Sequence, residues 1–219
     1  SRDKHGETSQ SEAKTVSITI TGTNDAPEVT STDTSYTEVD GARNWMILEP
    51  TASVNDVDKA SSFQSVTIST PASNDDGYDS YGALLHLAER NTDAFTDLVS
   101  TIKITDQDGK EFTPNEGGHI WWATGTSLTV TKLDGSNLND AEVEAIMQAV
   151  KFSTGDRVPS DAHDIDVTFS VTDDKGVAGT SVTTVAITGT NDTPTFTFIN
   201  ENITEVSVNE DEAVSMSGK

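Results

Sequence analysis

Apolar and polar residues alternate with a period of two along most of this chain. Val16, Ile18 and Ile20 alternate with Ser17, Thr19 and Thr21, the spacing of a strand with one buried face. The same period predicts strands over 28–37, around Trp45-Met46-Ile47-Leu48, over 64–69 with Val66 and Ile68 inward, and around Ile102 and Ile104. Further strands are predicted at Leu128 and Val130, near Lys151-Phe152, over 165–171 and over 177–187. Turn residues punctuate them at Asp40-Gly41, Asn55-Asp56-Val57-Asp58, Asp106-Gln107-Asp108-Gly109 and Asp173-Asp174-Lys175-Gly176. Two stretches depart from this period. Over 139–150, Val143, Ile146, Met147 and Val150 fall on one helical face, with Asn139 as N-cap and Glu142 completing a capping box. Residues 84–99 have mixed spacing and read as a strand followed by a short helix. The sum is an all-β antiparallel sandwich with one or two short helices.

Two motifs recur in one register. Ile20-Thr21-Gly22-Thr23-Asn24-Asp25 returns as Ile187-Thr188-Gly189-Thr190-Asn191-Asp192, an offset of 167 residues. Thr37-Glu38-Val39 returns as Thr204-Glu205-Val206 at the same offset. Such self-similarity is the signature of a tandem array. Residues 1–25 then read as the last strand of a preceding unit with its linker. Residues 26–192 form one complete sandwich module, with a long insert at about 71–125. Residues 193–219 are the first strands of a following unit. The two end strands need a partner edge, because a lone strand is not stable in water.

Charge narrows the class of partner. Asp and Glu number 37 against 13 Lys and Arg, a formal net charge of -24. Nucleic acid and anionic bilayers would be repelled. No stretch is long and apolar enough to span a bilayer, so no direct membrane insertion is expected. Much of the acid lies in tight Asp/Asn/Gly clusters. Clustered carboxylates repel one another unless a cation lies between them, and hard oxygen ligands suit Ca²⁺. Turn chemistry alone is the alternative for each cluster, since Asn-Asp and Asp-Gly are ordinary turn pairs.

Strand direction places the clusters. Ten residues of strand cross about 33 Å at about 3.3 Å per residue. From Asn24-Asp25 at one pole, here the upper, the first strand descends to Glu38. The second ascends to Asp56 and Asp58. The final strand descends to Asn191-Asp192, so its hairpin turn at Asp173 is at the upper pole. Asn24, Asp25, Asp56, Asp58 and Asp173 are therefore expected together at one end, and Glu38, Asn191 and Asp192 at the other. Modules meeting at such poles would share calcium and stiffen the joint.

Enzymatic chemistry finds no support in the residues. His5, His86, His119 and His163 are scattered without metal-ligand spacing, cysteine is absent, and no Gly-x-Ser-x-Gly elbow occurs. Paired carboxylates are abundant, but calcium accounts for them. The chain is expected not to be an enzyme.

The junction motif, followed by Ala26-Pro27 or Thr193-Pro194, resembles that of the cadherin-like repeats of giant RTX adhesins, which Gram-negative bacteria export to the cell surface by type I secretion. Further similarity lies in Val54-Asn55-Asp56-Val57-Asp58, in Ser127-Leu128-Thr129-Val130, over 138–152 and in Asp166-Val167-Thr168-Phe169-Ser170-Val171-Thr172-Asp173. It covers residues 14–70 and 125–206. The resemblance implies a cadherin-like or Ig-like Greek key, joints stiffened by calcium, and adjacent repeats of the same chain as partners. By position, Asn24, Asp25, Asp56 and Asp58 would serve the upper joint, and Glu38, Asn191 and Asp192 the lower.

The insert departs from plain repeats and resembles the enlarged peptide-binding domains near the tip of some such adhesins. That likeness implies calcium-dependent capture of the C-terminus of a protein or peptide on a host or neighbouring cell, for adhesion or biofilm formation. The insert supplies Asp106 and Asp108 as further metal candidates. From its composition, Asp75, Asp76, Tyr78, Asp79, Tyr81, Trp121 and Trp122 are the ligand-binding candidates. In a strand one of the adjacent tryptophans would face the core. A structural extender stiffened by calcium and a carbohydrate-binding adhesin module are the alternatives.

Overall fold

The computed structural model describes residues 13–39, 44–58, 62–71, 84–87, 92–114, 123–154 and 164–190. Among them the strands are β1 (Glu28–Thr30), β2 (Thr34–Thr37), β3 (Met46–Ile47), β4 (Ser53–Asn55), β5 (Phe63–Ser69) and β6 (Leu84–Leu87). Helix α1 (Asp93–Leu98) and a 3₁₀ turn (Val99–Thr101) precede β7 (Ile102–Asp106), β8 (Glu111–Phe112), β9 (Ala123–Gly125) and β10 (Ser127–Lys132). Helix α2 (Asp140–Ala149), β11 (Lys151–Ser153), β12 (Ile165–Asp173) and β13 (Ala178–Thr188) complete the order.

The period-2 alternation puts one apolar face of each sheet inward. A seven-stranded sheet, β2-β13-β12-β5-β10-β7-β8, faces a four-stranded sheet, β3-β11-β6-β9, and β1 pairs with β4 in a separate ribbon. Val66, Ile68, Ile104, Leu128, Val130, Val167, Phe169 and Val171 of the larger sheet and Leu85, Leu87 and Phe152 of the smaller are fully buried in one core. The chain is an all-β sandwich with two short helices. In α2, the Asn139 side chain accepts from the Glu142 N–H at 3.1 Å and Glu142 accepts from the Asn139 N–H at 3.0 Å, so the capping box is present. Its buried stripe is Val143, Ala145, Ile146, Met147 and Ala149. Helix α1 is capped by Thr92, whose hydroxyl accepts the Phe95 N–H, and it packs against α2. Among the described residues, no helix is long and apolar enough to cross a membrane.

The single strand expected over 28–37 is two strands. β1 pairs with β4, and β2 pairs with β13, the one parallel pair among the described residues, with Thr34 level with Val185 and Thr37 with Thr188. Between them Ser31 shares a 2.7 Å hydroxyl hydrogen bond with Ser181, and the Asp33 carboxylate accepts the Thr184 N–H at 2.9 Å. Val29 and Tyr36 are both buried. Their odd separation could not put both on one face of an unbroken strand. The ascent from Trp45 to Asp56 is broken likewise, between β3 and β4, where Pro50 supplies no ladder donor.

Residues 13–26 form no strand here. Val16, Ile18 and Ile20 are at least 80% exposed, whereas the same motif one repeat later is β13, with Val185 fully buried. β13 is flanked by β2 and β12, whereas residues 13–26 pair with no strand among the described residues.

The insert is built into both sheets. β6 and β9 extend the smaller sheet beyond β11, and β7 and β8 extend the larger beyond β10. β8, only two residues long, has too little alternation for a period to be read.

Candidate functional site

At the upper pole, β12 turns into β13 through Asp173-Asp174-Lys175-Gly176. Gly176 has φ of 86°, the left-handed conformation that closes such a hairpin. Asp173 is buried, and its Oδ1 accepts the N–H groups of Lys175 and Val177, both at 2.8 Å. Its Oδ2 accepts the Asn24 side-chain amide at 2.6 Å. That bond, foremost, holds the Asp173 carboxyl below the usual carboxylate range; burial opposes it, and the N–H groups of Val177, Lys175 and Gly176 assist. The Asp25 N–H donates to Asp58 Oδ2 at 2.7 Å, and the Asp58 N–H donates to Asp56 Oδ1 at 3.0 Å. Asn24, Asp25, Asp56, Asp58 and Asp173 thus lie together, tied across 149 and 33 residues of sequence. The junction crosses β13 at Gly179, where a Cβ would stand 1.7 Å from the Pro27 carbonyl oxygen.

Calcium would meet oxygen donors of the right kind here: the Asp25 carboxylate, Asp56 Oδ2 and Asp58 Oδ1 accept none of the hydrogen bonds just described, and both Asp173 oxygens are already engaged. No three Asp, Glu or His side chains among the described residues gather into a metal cage.

At the lower pole Glu38 is buried. Its N–H donates to the Thr188 carbonyl at 3.0 Å and its Oε2 accepts the Thr190 N–H at 3.1 Å. The carboxylate therefore grips the main chain of the second junction motif. Asn191 and Asp192 lie outside the described residues.

Asp106 and Asp108 join neither group. The β7–β8 hairpin repeats the Asp173 turn: Gly109 has φ of 78°, and Asp106 Oδ1 accepts the N–H groups of Asp108 at 3.0 Å and Lys110 at 2.9 Å. Register puts this turn at the lower end of the larger sheet, five strand spacings from β2, or about 24 Å. The Asp108 carboxylate accepts the Gln107 amide, and Gln107 Oε1 accepts the Thr126 N–H. Asp134 spends its carboxylate in the same way on the N–H and hydroxyl of Ser136. Turn chemistry gives each of these aspartates a structural task.

Asp75, Asp76, Tyr78, Asp79, Tyr81, Trp121 and Trp122 lie outside the described residues. Their attachment points do not. The stretch 72–83 joins the smaller sheet at Leu84 and the stretch 115–122 joins it at Ala123. In the antiparallel β6–β9 pair, Leu87 is level with Ala123 and Leu85 with Gly125. The two stretches therefore enter from opposite ends, about 10 Å apart.

The smaller sheet carries a further group that the periodicity did not single out. Lys151 stands opposite both Ile47 and His86, and His86 opposite Thr124, one row across four strands. Directly opposed residues share a face, here the one away from Met46, Phe152 and Leu85. His86 Nδ1 lies 3.1 Å from Thr124 Oγ1, and the His86 ring lies against Trp45, centroids 4.7 Å apart. Burial, and then the Lys151 charge, lower the His86 pKa from its ordinary value. Only the pairing of β3, β11, β6 and β9 unites these residues.

Comparison with protein-family models, with curated proteins and with solved structures returned no match.

Proposed function

We propose that this chain is a calcium-dependent ligand-binding module of a Gram-negative surface adhesin, exported by type I secretion, and not an enzyme. It captures the C-terminus of a protein or peptide on a host or neighbouring cell, and adjacent repeats of its own chain flank it. The observation that carries the calcium half is the contact of the junction pair Asn24-Asp25 with Asp173 and Asp58. Asn24, Asp25, Asp56, Asp58 and Asp173 would hold the upper ion, and Glu38, Asn191 and Asp192 the lower. When bound, calcium supplies positive charge that offsets carboxylate repulsion and offers open positions to oxygen ligands. The ligand half rests on the insert, whose stretches 72–83 and 115–122 are rich in acid and aromatic residues. Calcium with an open position would attract a free carboxylate despite the acidic surface, while aromatic neighbours add apolar contact.

Short peptides with free or amidated C-termini, each offered in millimolar calcium and in chelator, test this. Binding that needs both the free carboxylate and calcium is the expected result. No peptide binding in any condition, with calcium still raising the melting temperature, would leave the extender reading, which the pole contacts favour by themselves. A carbohydrate ligand would then be sought on a glycan array.

A further inference from the structure

The described lysines between β1 and β13 are engaged with one exception. Lys103 pairs with Glu111 at 2.6 Å, Lys132 with Glu142, and Lys175 with Asp174 at 2.7 Å. Lys110 lies over the Phe112 ring, 4.6 Å from its centroid. Lys151 forms no ion pair among the described residues. Acid is not scarce in a chain with 37 Asp and Glu, yet the register neighbours of Lys151 are Ile47 and His86. Lys151 is half-buried in the middle of a sheet face, with Ile47 37% exposed on one side, His86 on the other, and the Trp45 ring against that of His86. A cation paired with no described carboxylate, beside aromatic and aliphatic surface, is complementary to a carboxylate from elsewhere.

We propose that the outer face of the four-stranded sheet is a docking surface for an acidic peptide segment, which places a side-chain carboxylate on Lys151 and apolar atoms against Trp45 and Ile47. This deepens the peptide-capture reading and rests on it: calcium takes the C-terminal carboxylate, and Lys151 selects an acidic side chain upstream of it. The face is well situated for that task, since the insert stretches 72–83 and 115–122 attach at the two ends of its β6–β9 pair.

The test compares free-C-terminus peptides that differ only by Glu or Gln at each position, against wild type, Lys151→Gln and Lys151→Arg. Thermal melts establish that both variants are folded. Wild type is expected to prefer Glu at one position by about three- to tenfold. Lys151→Gln loses that preference, Lys151→Arg keeps it, and all three retain the need for calcium and a free C-terminus. Equal binding of Glu and Gln peptides by wild type, or an undiminished preference in Lys151→Gln, overturns the proposal. If no free-C-terminus peptide binds, the capture reading fails by itself. An amidated Glu peptide at millimolar concentration, titrated in chelator, then decides the surface by NMR. Shifts at Lys151, His86 and the Trp45 indole that vanish in Lys151→Gln uphold the surface without the calcium, and their absence overturns both. Competition by a carboxylated sugar but by no peptide would overturn the peptide assignment.

Discussion

Two single residues have effects that their types alone would not suggest. Gly179 has no left-handed backbone to justify it; its role is clearance beneath the Pro27 carbonyl. Gly179→Ala forces the junction away from β13. The expected cost is about 1–3 kcal/mol, a fall in melting temperature of roughly 2–10 °C, readable by calorimetry. His86 acts through protonation. Its folded pKa lies below the ordinary 6.5, first because of burial and then because of Lys151. The unfolded chain therefore takes up the proton first as pH falls. Stability from this residue is complete above about pH 6.5 and declines as pH drops towards the folded value. Denaturant melts from pH 7.5 to 5 should show this decline in wild type and a flatter profile in His86→Gln. An unchanged slope would assign the acid sensitivity to other groups.

The Asp-containing hairpins show how similar elements can serve different ends. The turns at Asp106 and Asp173 share a left-handed glycine and a carboxylate accepting two backbone N–H groups, but only Asp173 also meets the junction, through Asn24. Asp106→Ala should lower the melting temperature in calcium and in chelator alike, leaving the gain from calcium intact. Asp58→Ala should shrink that gain. Equal loss of the gain in both variants would place calcium at the β7–β8 turn instead. For α2, Asn139→Ala removes the side-chain acceptor of the Glu142 N–H, leaving only the bond from the residue 139 N–H to Glu142, and should cost about 0.5–2 kcal/mol, measured by equilibrium unfolding. That helix was readable from the sequence because cap, box and stripe are all local. The strands were readable because burial imposes period 2. What escaped was non-local: the sheet switch at Ser31–Asp33, betrayed only by the odd spacing of Val29 and Tyr36, and the Lys151 row, assembled from β3, β11, β6 and β9. Strand direction alone put Asn24, Asp25, Asp56, Asp58 and Asp173 at one pole. Asp106 and Asp108 carried the same local signal, which cannot distinguish a turn from a ligand.

At the scale of the molecule, the proposed calcium ligands lie at the poles, with Asn24, Asp25, Asp56, Asp58 and Asp173 at one and Glu38 at the other. On that proposal, removing calcium should loosen the poles before the core. A ligand at about 100 times its Kd adds about 2.7 kcal/mol to the folded state, so excess chelator is expected to lower the melting temperature by several degrees. The amides of Asp25 and Thr190 should lose hydrogen-exchange protection while those of β5 and β12 keep theirs. Uniform loss throughout would make calcium a requirement of the whole fold.

The parallel pairing of β2 with β13 also fixes how the module meets force. Tension entering near Pro27 and leaving near Thr190 draws these two strands in opposite directions along their own axes. The seam is loaded in shear, so its hydrogen bonds, with the one Glu38 donates to Thr188 and the one it accepts from Thr190, share the load and do not open one at a time as in a zipper. Under such a load the seam would hold until the whole ladder gave way together.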